Sequence, residues 1–159
     1  MSFRAYKYFF FIAMIFFVSC NDGTSSEIDD QKPTISVGYE EGFPKPCTEL
    51  VRGETYTFKA RATDNFALAS YSLGIHHNFD HHTHDDQGAL CELDPIKKAD
   101  TPFLFMENYP IDNSLTTYEI KVQITVPNDV DPGDYHCSFS VTDQTGWQSR
   151  TSIDIKIIE

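Results

Sequence analysis

The sequence predicts an all-β fold, an antiparallel β-sandwich that forms one domain behind an N-terminal leader. Apolar and polar residues alternate with a period of two in several segments, which is typical of half-buried strands. Turn-forming residues separate these segments, and no segment carries a helical period over three turns. The chain has 159 residues, a length that suits one domain rather than two.

The alternation indicates six strands. The clearest alternation places Phe58 and Ala60 on one face of the second strand and Tyr71, Leu73 and Ile75 on one face of the third. We label the predicted strands A (33–39), B (54–63), C (68–77), E (117–126), F (135–142) and G (149–158). Residues 103–106 indicate a weaker D or C′ strand inside a long C–C′/D insertion.

Strand F carries a more specific signal. Residues 133–137, followed by Asp143 and Gly146, resemble the F strand and F–G turn of bacterial immunoglobulin-like domains. Tyr135 stands two residues before Cys137, as in a tyrosine corner. Strand B has no cysteine, which excludes the antibody-type disulfide between the sheets. We therefore expect an immunoglobulin-like sandwich.

The N-terminus reads as a lipoprotein leader. Residues 8–18 are apolar and uncharged but too short to span a membrane, so residues 1–19 are predicted to be a signal peptide. Residues 17–20 resemble a bacterial lipobox, which implies lipidation of Cys20; an ordinary secretory signal is the alternative. Residues 20–31 then form a lipidated, flexible acidic tether, and residues 32–159 form the domain. The expected location is the cell envelope, anchored by lipid to the outer membrane and facing the periplasm or the surface.

Three further cysteines would lie in an oxidising compartment, where disulfides are favoured. Cys47 in the A–B loop and Cys91 in the C–C′ insertion belong to the same end of the sandwich, so we predict a Cys47–Cys91 disulfide. Cys137 faces inward on strand F and is expected to be a small buried side chain. A Cys91–Cys137 pair is the competing arrangement.

Histidine is concentrated in one segment, because five of the six histidines lie between His76 and His84. Imidazole and carboxylate groups are the ligands that Zn²⁺ and similar divalent transition metals prefer. Strands C and F are antiparallel neighbours in this fold, which places His76 and His136 on the same outer face. The predicted metal ligands are His76 and His136 with His81, His82 and His84. A solvated polar turn and a pH-sensitive surface are the alternatives.

The net charge and the motifs of the chain exclude several classes of function. A formal net charge of -12 disfavours nucleic acid and anionic lipid surfaces as partners and favours cations. The motifs of common hydrolases and nucleotide-binding enzymes are missing, so we expect no enzymatic activity. The favoured function is capture, buffering or delivery of a divalent transition metal, with an outer-membrane transporter or envelope protein as partner. The alternative is an adhesion or binding module whose Phe103, Phe105 and Tyr109 contact a protein or glycan, although core packing is the favoured interpretation of these aromatics.

Several motifs together suggest a family. They are the lipoprotein signal, the Lys-Pro-x-Ile opening of strand A, residues 52–54, residues 64–65 and the histidine-rich run 75–82. With these motifs the chain resembles an uncharacterised family of immunoglobulin-like bacterial lipoproteins, a domain of unknown function, over residues 32–159. The resemblance implies an envelope lipoprotein with this fold and implies no activity or catalytic residues.

Overall fold

Eight β-strands form two sheets in the computed structural model, which describes residues 28–84 and 91–159. The strands are β1 (Thr34–Ser36), β2 (Thr48–Val51), β3 (Thr55–Thr63), β4 (Leu68–His77), β5 (Phe105–Pro110), β6 (Thr117–Thr125), β7 (Gly133–Asp143) and β8 (Gln148–Ile158). Within these residues we find no helical segment able to span a bilayer. The predicted signal peptide, Cys20 and most of the tether lie outside the described residues.

The strand order is that of an immunoglobulin-like sandwich. One sheet has the order β1-β3-β6 and the other β2-β8-β7-β4-β5, so strands A, B and E face strands G, F and C. All pairs are antiparallel except β2 with β8, which is parallel. The predicted all-β fold is therefore confirmed, with one parallel pair at the edge of the larger sheet.

The core lies between the two sheets and follows the predicted alternation. Phe58 of β3 and Ile120 of β6 are fully buried from one side, and Leu73 of β4 and Phe139 of β7 from the other. Because side chains alternate across a strand, the neighbours of these residues point away from the core. That alternation sends His76 of β4 to the outer face of the five-stranded sheet.

Three strands differ clearly from the sequence-based expectation, and the first is β1, which covers only Thr34–Ser36 of the predicted strand A (33–39). The four-residue strand β2 was not predicted, because only Leu50 of its residues is fully buried and so short an edge strand shows no alternation. The strand in the insertion is β5 at Phe105–Pro110 rather than 103–106. Phe103 lies before it and is buried against the core, while Phe105 and Tyr109 are partly buried against the core. These three aromatics have the packing role that the sequence favoured.

Covalent and hydrogen-bonded links tie the loops at one end of the sandwich. Cys47 and Cys91 form the disulfide that their loop positions predicted, and Cys137 is a buried free thiol. The Tyr135 hydroxyl donates to the carbonyl oxygen of Asp131 at 2.6 Å and accepts from the Phe103 amide at 3.1 Å. This tyrosine corner fixes the turn that precedes β7 against the long insertion.

Candidate metal centre

The candidate centre begins where β4 ends and β7 starts. These strands pair antiparallel with His76 directly opposite His136, so both side chains lie on the outer face of the sheet. The next strand places Asp154 of β8 opposite His136. Three adjacent strands thus carry an imidazole, an imidazole and a carboxylate side by side.

The loop after β4 folds back over this row. Asn78 donates its amide to the carbonyl of Asp134 at 2.8 Å, and the His81 amide donates to the carbonyl of Asn78 at 3.2 Å. His81 has a φ of 60°, a left-handed conformation that reverses the chain locally. The reversal carries His82 and His84 above the strand face, where they cover His136 and leave it fully buried.

Three of the histidines converge on one point. The Nε2 atom of His76 lies 3.1 Å from Nε2 of His82 and 3.1 Å from Nε2 of His84. One nitrogen from each of the three rings falls in a group whose members all lie within 4.8 Å of one another. Two nitrogens that bind the same tetrahedral Zn²⁺ at ~2.0–2.1 Å lie about 3.3 Å apart. The two distances from His76 are close to this value, and all three nitrogens are near enough together to share a metal ion after a small adjustment.

Protonation at this centre favours ligation. The Nδ1 atom of His82 lies 2.6 Å from Oδ1 of Asp80, and this hydrogen bond lowers the pKa of Asp80. A proton held on Nδ1 leaves the Nε2 lone pair available to a metal, which is how carboxylates orient ligating histidines. Burial first, and then the neighbouring imidazoles of His136, His84 and His82, lower the pKa of His76 to about 4. His76 is therefore uncharged at neutral pH, as a metal ligand must be.

His136 lies beside His76, as the strand pairing predicted, but its two ring nitrogens face other partners. Its ring is 4.8–5.4 Å, centroid to centroid, from those of the other three histidines. However, its Nε2 lies 3.2 Å from the carbonyl oxygen of His82 and its Nδ1 lies 2.8 Å from Oδ1 of Asp154. With Nε2 as the donor, His136 holds the backbone of His82 from below and supplies no nitrogen to the group of three.

His81 lies apart from the centre. Its Nε2 is 2.8 Å from the carbonyl oxygen of Asp94, so the ring joins the loop to the insertion. Of the five predicted ligands, the structure thus brings His76, His82 and His84 together, places His136 beneath them and turns His81 away. The sequence analysis did not single out Asp154, although a charged residue between Ile153 and Ile155 on a strand beside strand F was a usable signal.

Comparisons with known proteins identify a family but no activity. No curated protein sequence matches the chain. The chain is similar to a solved structure described as the GspB Siglec domain, with a TM-score of 0.45 and 23% identity over 82% of this chain and 59% of that one. It is also similar to the sporulation control protein Spo0M from Bacillus subtilis, with a TM-score of 0.40 and 8% identity over 80% of this chain and 49% of that one. The chain thus spans only about half to three fifths of each of these structures.

The family model described as "Domain of unknown function (DUF4625)" matches residues 18–158. This range includes both sheets, the histidine-bearing loop and the disulfide. The expected resemblance to a domain of unknown function is thereby confirmed, and the protein belongs to the DUF4625 family.

Proposed function

We propose that the protein binds a divalent transition metal of the Zn²⁺ type through Nε2 of His76, His82 and His84. The convergence of these three nitrogens within 4.8 Å of one another is the observation that carries the proposal. A hydrogen bond between two imidazoles uses the lone pair of only one of them, whereas a shared cation would accept a lone pair from all three. Three protein ligands leave a fourth position for water or a ligand from a partner.

The surroundings favour a transition metal over Ca²⁺ or Mg²⁺. The converging atoms are nitrogens, which suit Zn²⁺, Cu²⁺ and Ni²⁺, whereas Ca²⁺ and Mg²⁺ prefer oxygen. The carboxylate of Asp80 stands behind one ligand as an outer partner, and the His136–Asp154 pair supports the loop from below. The overall acidity of the chain raises the local concentration of cations near the centre.

The predicted lipid anchor at Cys20 gives this site a biological setting. A domain tethered to the outer membrane of a cell envelope is well placed to capture, buffer or deliver metal to a membrane transporter or another envelope protein. An adhesion or glycan-binding role is the weaker candidate, because Phe103, Phe105 and Tyr109 pack against the core rather than forming an exposed aromatic surface.

The proposal is tested by titrating the purified, chelator-treated protein with Zn²⁺ in a calorimeter. We expect one saturable site of low-micromolar or tighter affinity and a higher melting temperature with metal. His82→Ala and His84→Ala should each weaken Zn²⁺ binding about 100-fold or more. This loss exceeds the roughly 10- to 100-fold effect of removing an outer partner. His76→Ala together with His136→Ala should remove most of the affinity.

The matched control is His81→Asn. Asparagine tolerates the left-handed backbone found at this position, so the variant removes an imidazole from the same loop without straining it. We expect it to lose much less Zn²⁺ affinity than His82→Ala or His84→Ala, because it removes only a contact with the Asp94 carbonyl. The proposed centre is disproved if the wild-type protein shows no saturable Zn²⁺ binding. It is also disproved if His82→Ala and His84→Ala are folded, as judged by cooperative unfolding, and bind Zn²⁺ as tightly as the wild type.

A further inference from the structure

A second group of ligand atoms lies at the opposite end of the sandwich. Asp29 precedes β1, Asp64 follows β3 and Asp143 ends β7, and one carboxylate oxygen from each falls within 4.8 Å of the other two. These residues are far apart in sequence, and none was singled out as a ligand by its spacing. The strand order brings them together, because the B–C and F–G turns share one end of an immunoglobulin-like sandwich.

Asp143 has one carboxylate oxygen that is satisfied and one that is not. Its Oδ1 accepts from the Thr145 amide and hydroxyl at 2.8 Å each, the Gly146 amide at 2.7 Å and the Trp147 amide at 2.9 Å. Its Oδ2 has no hydrogen-bond partner, and it is buried because the residue is only 2% exposed. Four donors on one oxygen hold the carboxylate so rigidly that the other oxygen keeps a fixed position.

Asp64 repeats this arrangement on the neighbouring turn. Its Oδ2 accepts from the Phe66 amide at 2.9 Å, while its Oδ1 is buried and has no partner. An unpartnered buried carboxylate oxygen destabilises the folded protein, because it has lost its hydrogen bonds to water without gaining others. Two such oxygens beside a third carboxylate add like-charge repulsion to that cost. A divalent cation among them would remove both penalties.

Asp29 completes the group from the segment before β1. Its side chain accepts from Asn65 Nδ2 at 3.0 Å and Thr145 Oγ1 at 3.3 Å, and its carbonyl oxygen accepts from Trp147 Nε1 at 3.1 Å. The hydrogen bond from Asn65 is the main reason that the pKa of Asp29 is lowered. No ion pair joins any of the three aspartates to a lysine or arginine among the described residues. Lys32 faces Trp147 instead, with its Nζ 5.7 Å from the centroid of that ring.

We propose that Asp29, Asp64 and Asp143 bind Ca²⁺. The ligands are carboxylate oxygens from three separate segments of the chain, which suits the flexible six- to eight-fold oxygen coordination of Ca²⁺ better than the strict octahedron of Mg²⁺, and water or main-chain carbonyls would complete the shell. Bound Ca²⁺ would join the segment before β1 to the B–C and F–G turns. It would thereby fix the direction in which the N-terminal segment enters the sandwich. The expected affinity is that of extracellular calcium modules, with a Kd of about 0.1–1 mM.

Trp147 makes the test direct, because it is the only tryptophan in the chain and its indole donates to Asp29. Titration of the purified protein with Ca²⁺ should change Trp147 fluorescence saturably and raise the melting temperature. Tb³⁺, a luminescent substitute for Ca²⁺, should show emission sensitised by Trp147 that excess Ca²⁺ quenches.

Isosteric variants identify the ligands. Asp64→Asn and Asp143→Asn keep the oxygen that accepts the turn hydrogen bonds and change the one without a partner, so each should weaken Ca²⁺ binding at least tenfold. Asp29→Asn lies outside every strand and serves the same purpose if either of the other two variants fails to fold. Asp131→Asn is the matched control, since Asp131 accepts two backbone amides in a turn at the other end and should leave the Ca²⁺ response unchanged.

The proposal is overturned if Ca²⁺ produces no greater change than NaCl of equal ionic strength. It is also overturned if Asp64→Asn and Asp29→Asn respond to Ca²⁺ like the wild type. The two proposed sites can be tested independently, because His82→Ala should keep the Ca²⁺ response and Asp64→Asn should keep the Zn²⁺ affinity.

Discussion

Asp154 is an acidic residue in a setting where acidic residues are rare. It is 4% exposed between two core isoleucines on β8, and its Oδ1 lies 2.8 Å from Nδ1 of the fully buried His136. Its carbonyl oxygen accepts the Cys47 amide at 2.8 Å. The buried carboxylate of Asp154 needs a partner such as His136, since an uncompensated buried charge is strongly destabilising. Through His136, which contacts the His82 carbonyl, Asp154 positions a ligand of the candidate metal centre without touching the metal.

At the residue scale we predict that Asp154→Asn weakens Zn²⁺ binding about 10- to 100-fold, as loss of an outer partner does. The amide keeps the shape of the side chain but removes the charge that holds His136. Asp80→Asn is the comparison variant, because Asp80 is 67% exposed and its contact with His82 is weakened by solvent, so its loss should be smaller. Calorimetric titration measures both. Equal affinity for Asp154→Asn and wild type would contradict the positioning role.

Among the elements, the long insertion between β4 and β5 depends most on links outside the sheets. Its described residues before β5 form no strand. They are held by the disulfide, by the Asp94 amide donating to Asp134 at 2.7 Å and by Lys156 donating to Asp94 at 2.7 Å. His81 also contacts the Asp94 carbonyl. The insertion therefore supports the loop that carries His82 and His84.

At the element scale we predict that Cys47→Ser with Cys91→Ser lowers the free energy of unfolding by about 4 kcal/mol, because the bond closes a loop between residues separated by 44 positions in sequence. Urea denaturation followed by circular dichroism measures the loss. Cys137→Ala is the control, since it removes a buried thiol and keeps the disulfide, and its effect should be smaller. A double variant as stable as the wild type would show that the non-covalent contacts suffice.

Across the whole molecule, the two proposed sites lie at opposite ends of the same strands. Leu68 of β4 pairs with Asp143 at one end and His77 pairs with Tyr135 at the other. These pairs are nine residue steps apart along β4 and eight along β7. At ~3.3 Å for each step, the separation is about 26–30 Å. The nitrogen ligands proposed at one end and the oxygen ligands proposed at the other would select different cations.

At this scale we predict that the two cations bind independently. Zn²⁺ affinity measured with and without saturating Ca²⁺ should agree at constant ionic strength, because the sites share no ligand and no outer partner. The melting-temperature losses of His82→Ala and Asp64→Asn, measured with both cations present, should likewise add in the double variant. A change in Zn²⁺ affinity on adding Ca²⁺ would reveal coupling through the sheet.

The strands were predictable because every second residue of a half-buried strand faces the core and is apolar. The alternation located β3, β4, β6 and β8 to within about one residue at each end. Antiparallel pairing of the third and fifth predicted strands, C and F, was then enough to place His76 beside His136. Loop positions alone were enough to pair Cys47 with Cys91, because loops at the same end of a sandwich lie close together.

The sequence by itself thus determined the main strands and the end of the molecule where the histidines gather, and it favoured Cys47–Cys91 over the competing Cys91–Cys137 pair. Only the tertiary structure decided which imidazoles share a point, since the left-handed turn at His81 and its hydrogen bond to Asn78 set the directions of His82 and His84. It also decided the group of Asp29, Asp64 and Asp143. Side-chain direction in irregular loops follows from non-local hydrogen bonds and packing, and no local periodicity encodes them.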